Sequence, residues 1–390
     1  MEKKQQTLNI ALLIGIILVA TNLRAPITSV GSLVSLIKSD LQLNALQSGV
    51  ITTIPLLCFA IISPLAPKIS RKIGIEKTIF YSLIVLFIGI IIRSLNATVF
   101  LFAGTVLLGC AIAISNVLIP GLIKKEFDRR SGLVTGIYSV SMNLCGAIAS
   151  GISFPLATTV GLGWAHALQI WVVLAIIALI GWFPQMKRRD VIAATTQQQE
   201  RKSLWKSKLA WFVTAFMGLQ SLLFYVLVAW LPSILGGLGI AESKAGLFLS
   251  IIQITMLPIT FVIPIIAEKQ KNQRFLVLLT AICLFIGILP IFTGIEWLII
   301  VGMVILGIGS GSVFSLAMMF FSLRTSNVHE ASELSGMAQS VGYLLASVGP
   351  LLVGAIYDAT HTWTIAIYIL LGIVVAILIA GMGAGKNSKV

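Results

Sequence analysis

Charge is what this 390-residue chain has least of: 10% of its residues are charged, and only 13 are acidic. A water-soluble domain carries roughly a quarter of its residues as Asp, Glu, Lys or Arg, so a soluble globule is excluded. Cysteine is nearly absent. Cys58, Cys110, Cys145 and Cys283 each sit alone in an apolar run, without CxxC or metal-ligand spacing, and read as small packing residues. Three scattered histidines (His166, His329, His361) form no zinc pattern, and neither a GxSxG elbow nor a phosphate loop occurs. No metal or cofactor is therefore expected, and an enzyme would have no chemistry to work with. The apolar runs do not alternate in polarity, which excludes a transmembrane β-barrel.

What fills the chain instead is hydrophobic residues, 58% of the total, with a mean hydropathy of +1.03. They fall into runs long enough to cross a hydrocarbon layer of ~30 Å as helices. The pattern predicts an all-α membrane protein of 12 transmembrane helices at residues 9–33, 46–66, 78–95, 98–122, 132–155, 164–183, 209–232, 245–267, 275–294, 296–321, 335–357 and 363–384. The first run continues past Arg24 without a small-residue cleavage pattern and reads as helix 1 rather than a cleavable signal. Trp164, Trp182, Trp211, Trp297 and Trp363 fall at helix ends, where interface anchors belong.

The formal net charge of +14 invites a nucleic-acid partner, but its distribution argues against one. Of the 27 lysines and arginines, 23 fall at the termini, in the even-numbered connections or in the central loop. Only Lys38, Arg93 and Lys244 fall on the opposite side, with Arg24 inside helix 1. This asymmetry predicts a bacterial-type inner-membrane protein with both termini cytoplasmic. The polar stretch 187–208 reads as a cytoplasmic linker near anionic lipid headgroups, between six-helix bundles at 1–186 and 209–390.

The two halves echo one another. Gly49 and Pro67 in the first have the same spacing as Gly246 and Pro264 in the second, LLG at 107–109 matches ILG at 305–307, and Ser-Gly opens helices 5 and 11. Halves that start on the same membrane face are parallel repeats, as in the major facilitator fold. Gly132 with Gly136, and Gly307 with Gly311, have the spacing that allows close helix approach.

Arg24 is the one charge deep in a predicted span. At 1.5 Å per residue, about 22 Å of helix separates it from the start of the span and about 14 Å from its end, farther than an arginine can snorkel. A charge at that depth costs at least ~2.5–3.5 kcal/mol and should face the bundle interior. All the acidic residues fall in predicted loops or at helix ends. Pro26, two residues on, deprives the Asn22 carbonyl of its helical donor and kinks the helix, a break tolerated where it lines a cavity. A cationic cavity of this kind suits an anion or an acceptor-rich neutral solute. Asn22, Asn116, Asn143, Gln220, Tyr225, Gln253, Gln339 and Tyr343 are the other intramembrane polar residues expected to contact such a substrate, and each equally suits an interhelical hydrogen bond.

NLRAPITSVG at 22–31, GLQSLLFYVLVAWLP at 218–232 and SGMAQSVGYLLASVGP at 335–350 resemble the cyanate/2-nitroimidazole permease (CynX/NimT) branch of the major facilitator superfamily. The similarity runs from helix 1 to helix 12. It implies two pseudo-symmetric six-helix bundles, alternating access, and a small polar or anionic substrate at the interface between halves. The matching positions are Asn22, Arg24, Pro26, Gln220, Tyr225, Trp230, Gln339 and Tyr343, and Pro26, Arg71, Gly74, Trp230 and Pro232 are expected to be gating or structural. The superfamily's loop after helix 2 has an Asp, then Arg, any residue and Gly; here it reads Arg71-Lys72-Ile73-Gly74, so Arg71 replaces the acid and the usual gating contact is not expected at Gly74. Rocking about Arg24 is the expected mechanism, in a chain expected to work as a monomer. Export of small neutral drugs is the alternative, and a non-transporting membrane sensor is the reading from a different class.

Overall fold

The structure, a computed structural model, describes residues 10–187, 204–240 and 242–390. Lys3, Lys4, Arg188, Arg189, Arg201 and Lys202, with nearly all of the expected linker, lie outside the described residues. Among the described residues the regular structure is helical throughout. The helices are α1 (Ile10–Asp40), α2a (Ala45–Ile62), α2b (Ala66–Ile73), α3 (Ile75–Arg93), α4 (Thr98–Glu126), α5 (Ser131–Thr158), α6a (Gly163–Gln169), α6b (Val172–Trp182), α7 (Lys208–Gly237), α8 (Glu242–Lys269), α9 (Arg274–Ile288), α10 (Glu296–Leu323), α11 (Val328–Thr360) and α12 (Thr364–Ala384). Eleven spans are long and apolar enough to cross a membrane, or 12 when the bent α2a–α2b pair counts as one.

The departures from the expected spans have local causes. Helix 2 breaks at Ser63-Pro64-Leu65 and bends by 57°, because Pro64 has no N–H to continue the ladder. Gly74 then turns the chain into α3 at φ 92°, a conformation that glycine adopts without strain. Helix 11 starts seven residues earlier than its hydropathy suggests, because the Asn327 side chain accepts from the Glu330 N–H while Glu330 accepts from the Ser326 N–H.

The chain folds as two compact units, Met1–Arg129 with Ile137–Arg201, and Arg130–Gly136 with Lys202–Val390. Each is held together by glycines where helices nearly touch. In the first, a methyl on Gly89 (α3) would lie 2.8 Å from Leu108 N (α4), and one on Gly104 (α4) 2.3 Å from Arg93 N (α3). In the second, Gly287 (α9) meets Leu306 of α10, and Gly302 (α10) meets Gly287 and Pro290. Gly109 packs on Cys58 and Pro55 of α2a, as Gly307 packs on Ile252 and Thr255 of α8. Gly89 and Gly287, Gly104 and Gly302, and Gly109 and Gly307 are each 198 positions apart. The LLG/ILG echo thus falls on the same packing contact in each unit.

Several surface assignments change. Trp164 and Trp182 are buried, and they donate to Asp40 Oδ2 (2.6 Å) and the Glu76 carbonyl (2.9 Å), so they clamp helices rather than anchor in the interface. Trp211 and Trp297 are exposed, as anchors should be. Trp363 stacks on Tyr357. Cys58 on α2a gives its thiol to the Val106 carbonyl of α4 at 3.6 Å, a contact between packed helices. Arg93, placed by sequence on the membrane surface, is fully buried.

Candidate functional site

In the first unit the site is built on α1. Among its partly exposed positions, Ile10, Ile14, Ile17, Thr21, Arg24, Thr28, Gly31 and Ser35 recur at helical intervals of three and four. The stripe is apolar up to Ile17 and polar from Thr21 onward. A polar stripe of partly exposed residues on a long apolar helix is what a water-lined path requires and what a lipid-facing surface excludes. Arg24 lies at its centre, half-buried.

Two contacts fix that face against α5. Thr28 Oγ1 donates to the Gly146 carbonyl at 2.8 Å, and a methyl on Gly146 would come within 2.9 Å of Arg24 Cβ. Asn143, one turn earlier on the same face of α5, is half-buried and gives its amide to the Ser139 carbonyl at 2.9 Å. Arg24 and Thr28 therefore pack on α5 at Gly146, with glycine admitting the close approach, and Asn143 lies one turn away along that helix. Asn116 accepts from the Tyr138 hydroxyl at 3.0 Å, a buried tie between α4 and α5. Tyr138 was not singled out by sequence, since nothing in the linear pattern pairs it with Asn116.

Asn22 has a different place. It is fully buried, and its amide donates to the Leu174 carbonyl of α6b at 3.1 Å and to the Leu18 carbonyl at 2.9 Å. It joins α1 to α6b and does not belong to the open stripe. Pro26 is also buried, its carbonyl accepting from Arg93 Nη1 at 2.6 Å. Arg71 donates from Nε to the Pro67 carbonyl of its own helix at 3.3 Å.

In the second unit α7 and α11 run side by side in constant register. Gly218 meets Gly342, Leu222 and Val226 meet Gly349, and Trp230 lies on Gly354 while its Nε1 donates to the Pro350 carbonyl at 2.8 Å. Gln220 and Ser221, hydrogen-bonded at 2.7 Å, thus flank the same crossing as Gln339 and Tyr343. Gln339 gives its amide to Ser335 Oγ at 2.8 Å. Tyr225 is half-buried one turn beyond Ser221 and packs edge-on against Phe224. Trp230 is a packing residue that also faces Trp363. Pro232 lies within the last turns of α7. Gln253 is half-buried on α8.

Charge elsewhere stays at helix ends. Asp40 closes α1, Glu126 closes α4, and Glu268 lies in the last turn of α8. Glu76 opens α3 and is buried against Lys125 at 3.2 Å. No group of three or more metal-ligating side chains occurs among the described residues.

The sequence model for the Major Facilitator Superfamily matches residues 12–350. An uncharacterized transporter of Bacillus subtilis strain 168 (YycB) is 45% identical over 377 residues, covering 96% of this chain and 94% of that protein. The 2-nitroimidazole transporter of Escherichia coli K12 is 38% identical over 389 residues (98% and 97%), and the cyanate transport protein CynX of the same organism is 22% identical over 351 (88% and 89%). Among solved structures, a proton:xylose symporter, XylE, superposes with a TM-score of 0.77 at 10% identity over 97% of each chain, a likeness of fold alone. With its helical spans, the three helix motifs and these relatives, the chain belongs to the major facilitator superfamily, as a multi-pass membrane transporter of the cyanate/2-nitroimidazole permease type and not an enzyme.

Proposed function

We propose that the protein moves a small anionic or acceptor-rich solute by alternating access, with Arg24 as the principal recognition group. The observation that carries this reading is the polar stripe Thr21–Arg24–Thr28–Gly31–Ser35, which opens the second half of an otherwise apolar helix around a guanidinium. Arginine suits the role because its planar fork offers paired donors to a two-oxygen acceptor, where lysine offers a point charge. Asn143, one turn from Gly146 on α5, is the neutral polar candidate of the first unit, and Gln220, Gln339 and Tyr343 are the polar candidates of the second. The names of the relatives support the class: cyanate is a small anion, and the nitro group of a nitroimidazole is a planar two-oxygen acceptor. The basic hairpins at Lys68–Lys77 and Lys124–Arg130 favour an inner-membrane orientation with these connections cytoplasmic.

The test is a thermal-shift and uptake screen of purified protein against cyanate, nitrate, carboxylates and nitroimidazoles, repeated on Arg24→Ala and Arg24→Lys. Losing a charge-assisted hydrogen-bond pair costs about 1.5–3 kcal/mol, so Arg24→Ala should weaken binding roughly 10- to 100-fold. Arg24→Lys should keep part of the anion affinity and lose more of the nitroimidazole affinity. Unchanged affinity in Arg24→Ala would reject the reading. Export of neutral drugs is the second reading, favoured by the 2-nitroimidazole relative, and vesicles of known sidedness separate it from uptake.

A further inference from the structure

Arg93 presents a second guanidinium, and the transport reading makes no use of it. It ends α3 with none of its surface exposed. Nη1 donates to the Pro26 carbonyl at 2.6 Å. Nε and Nη2 are buried and have no hydrogen-bond partner among the described residues, and no ion pair there involves Arg93. These two nitrogens are not an arbitrary pair. They form the side edge of the guanidinium, from which two N–H bonds project in parallel, the edge that grips a carboxylate or similar acceptor in bidentate pairs.

The cost of this arrangement argues that it is used. A buried charge with no counter-charge costs several kcal/mol even after relaxation, and each buried donor left unmatched adds ~1–3 kcal/mol. Packing does not require the charge. The internal repeat places position 93 opposite Ile291, 198 residues on, and there Gly302 packs on Pro290 much as Gly104 packs on Arg93. Ile291 is fully buried. The same position of the second unit is thus filled by an apolar side chain, so packing at this corner does not call for a charge.

We propose that the Nε/Nη2 edge of Arg93 holds a small monovalent inorganic anion, which neutralises the guanidinium inside the first unit. The site is separate from the Arg24 stripe: Arg24 lies on the open face of α1, whereas Arg93 contacts the buried Pro26 carbonyl of the same helix. Full burial restricts the ligand to one that needs little room, a halide or a planar oxyanion of nitrate size. By neutralising Arg93 while Nη1 stays on Pro26, the ion steadies the proline-bearing turn that follows Arg24.

The experiment compares thermal unfolding of the purified full chain in gluconate, which is too large to enter, with unfolding in bromide, an ion outside the transport screen, at equal ionic strength. At about ten times its Kd, an anion that binds only the folded state should raise the midpoint by roughly 1–2 °C in a chain of this size. The response should vanish in Arg93→Ile, the side chain that the repeat places at 291, and persist in Arg24→Ala. A response that survives in Arg93→Ile overturns the proposal. So does one lost in Arg24→Ala and kept in Arg93→Ile, which assigns the anion to the transport path and leaves the transport reading standing. Should Arg93→Ile fail to fold, bromide anomalous scattering from wild-type crystals decides the matter: a peak on the Nε/Nη2 edge supports the site, and its absence at saturating bromide rejects it.

Discussion

At the scale of single residues, arginine position and arginine environment came apart. Arg24 was legible because a charge in the middle of an apolar run has no bland explanation. Arg93 and Arg324 were not, because counting basic residues by side treats every residue between spans or in a span's last turn as surface. Arg324 is buried just beyond α10, where its donors reach the carbonyls of Ala384 (2.7 Å) and Gly385 (3.2 Å) and the side chain of Gln273, while its guanidinium covers the Phe320 ring. Burial pushes its pKa down to about 10, so it remains a cation at neutral pH. It ties the end of α10 to the start of α9 and the end of α12, a role that needs several directed donors at once. Arg324→Ala should lower stability by about 2–4 kcal/mol by leaving these acceptors unmatched. Arg324→Lys should recover less than half of that, since an ammonium lacks the planar fork. Unfolding midpoints in detergent check both, and full recovery by lysine would show that charge alone matters.

At the scale of elements, hydropathy located the helices because each must satisfy its backbone internally and meet lipid with apolar side chains. It could not reveal which glycines were structural, because glycine is common in membrane helices. Packing geometry separates them. Gly342 leaves no room beside Gly218, a methyl there lying 3.0 Å from its Cα, whereas Gly372 on α12 has nothing within 4 Å. Gly342→Leu should force α7 and α11 apart at the crossing that carries Gln220 and Gln339, costing about 1–3 kcal/mol. Gly372→Leu should change stability by less than about 0.5 kcal/mol. Equal effects would mean that the α7–α11 register is not fixed by close backbone approach. The α2 bend had a visible signal in Pro64, while the early start of α11 was announced by Asn327 and Glu330, polar residues that a hydropathy window averages away.

At the scale of the whole molecule, the sequence echo and the structural repeat agree on what each unit shares, and the functional candidates are what they do not share: Arg24 corresponds to Leu222, and Arg93 to Ile291, 198 positions on. The first turns of α5 bear on the proposed rocking motion. They cluster with the second unit, where Gly132 and Gly136 lie on the Pro264 and Phe261 carbonyls of α8 and Ser131 Oγ donates to Glu268 Oε1 at 3.0 Å. The glycines come so close that any side chain there would separate the helices, and the polar contact lies at the helix ends, where water can replace it. The proposed rocking predicts that this contact opens once per cycle, because α5 belongs to one half of the sequence and α8 to the other. Ser131→Cys with Glu268→Cys, in a chain whose four native cysteines are replaced by serine, should transport normally when reduced. It should lose nearly all transport when the pair is joined by a short bifunctional thiol reagent and regain it when that link is cleaved. Transport that continues at full rate in a fully cross-linked sample would show that α5 and α8 stay together throughout the cycle, and alternating access would then need a moving part that leaves this contact closed.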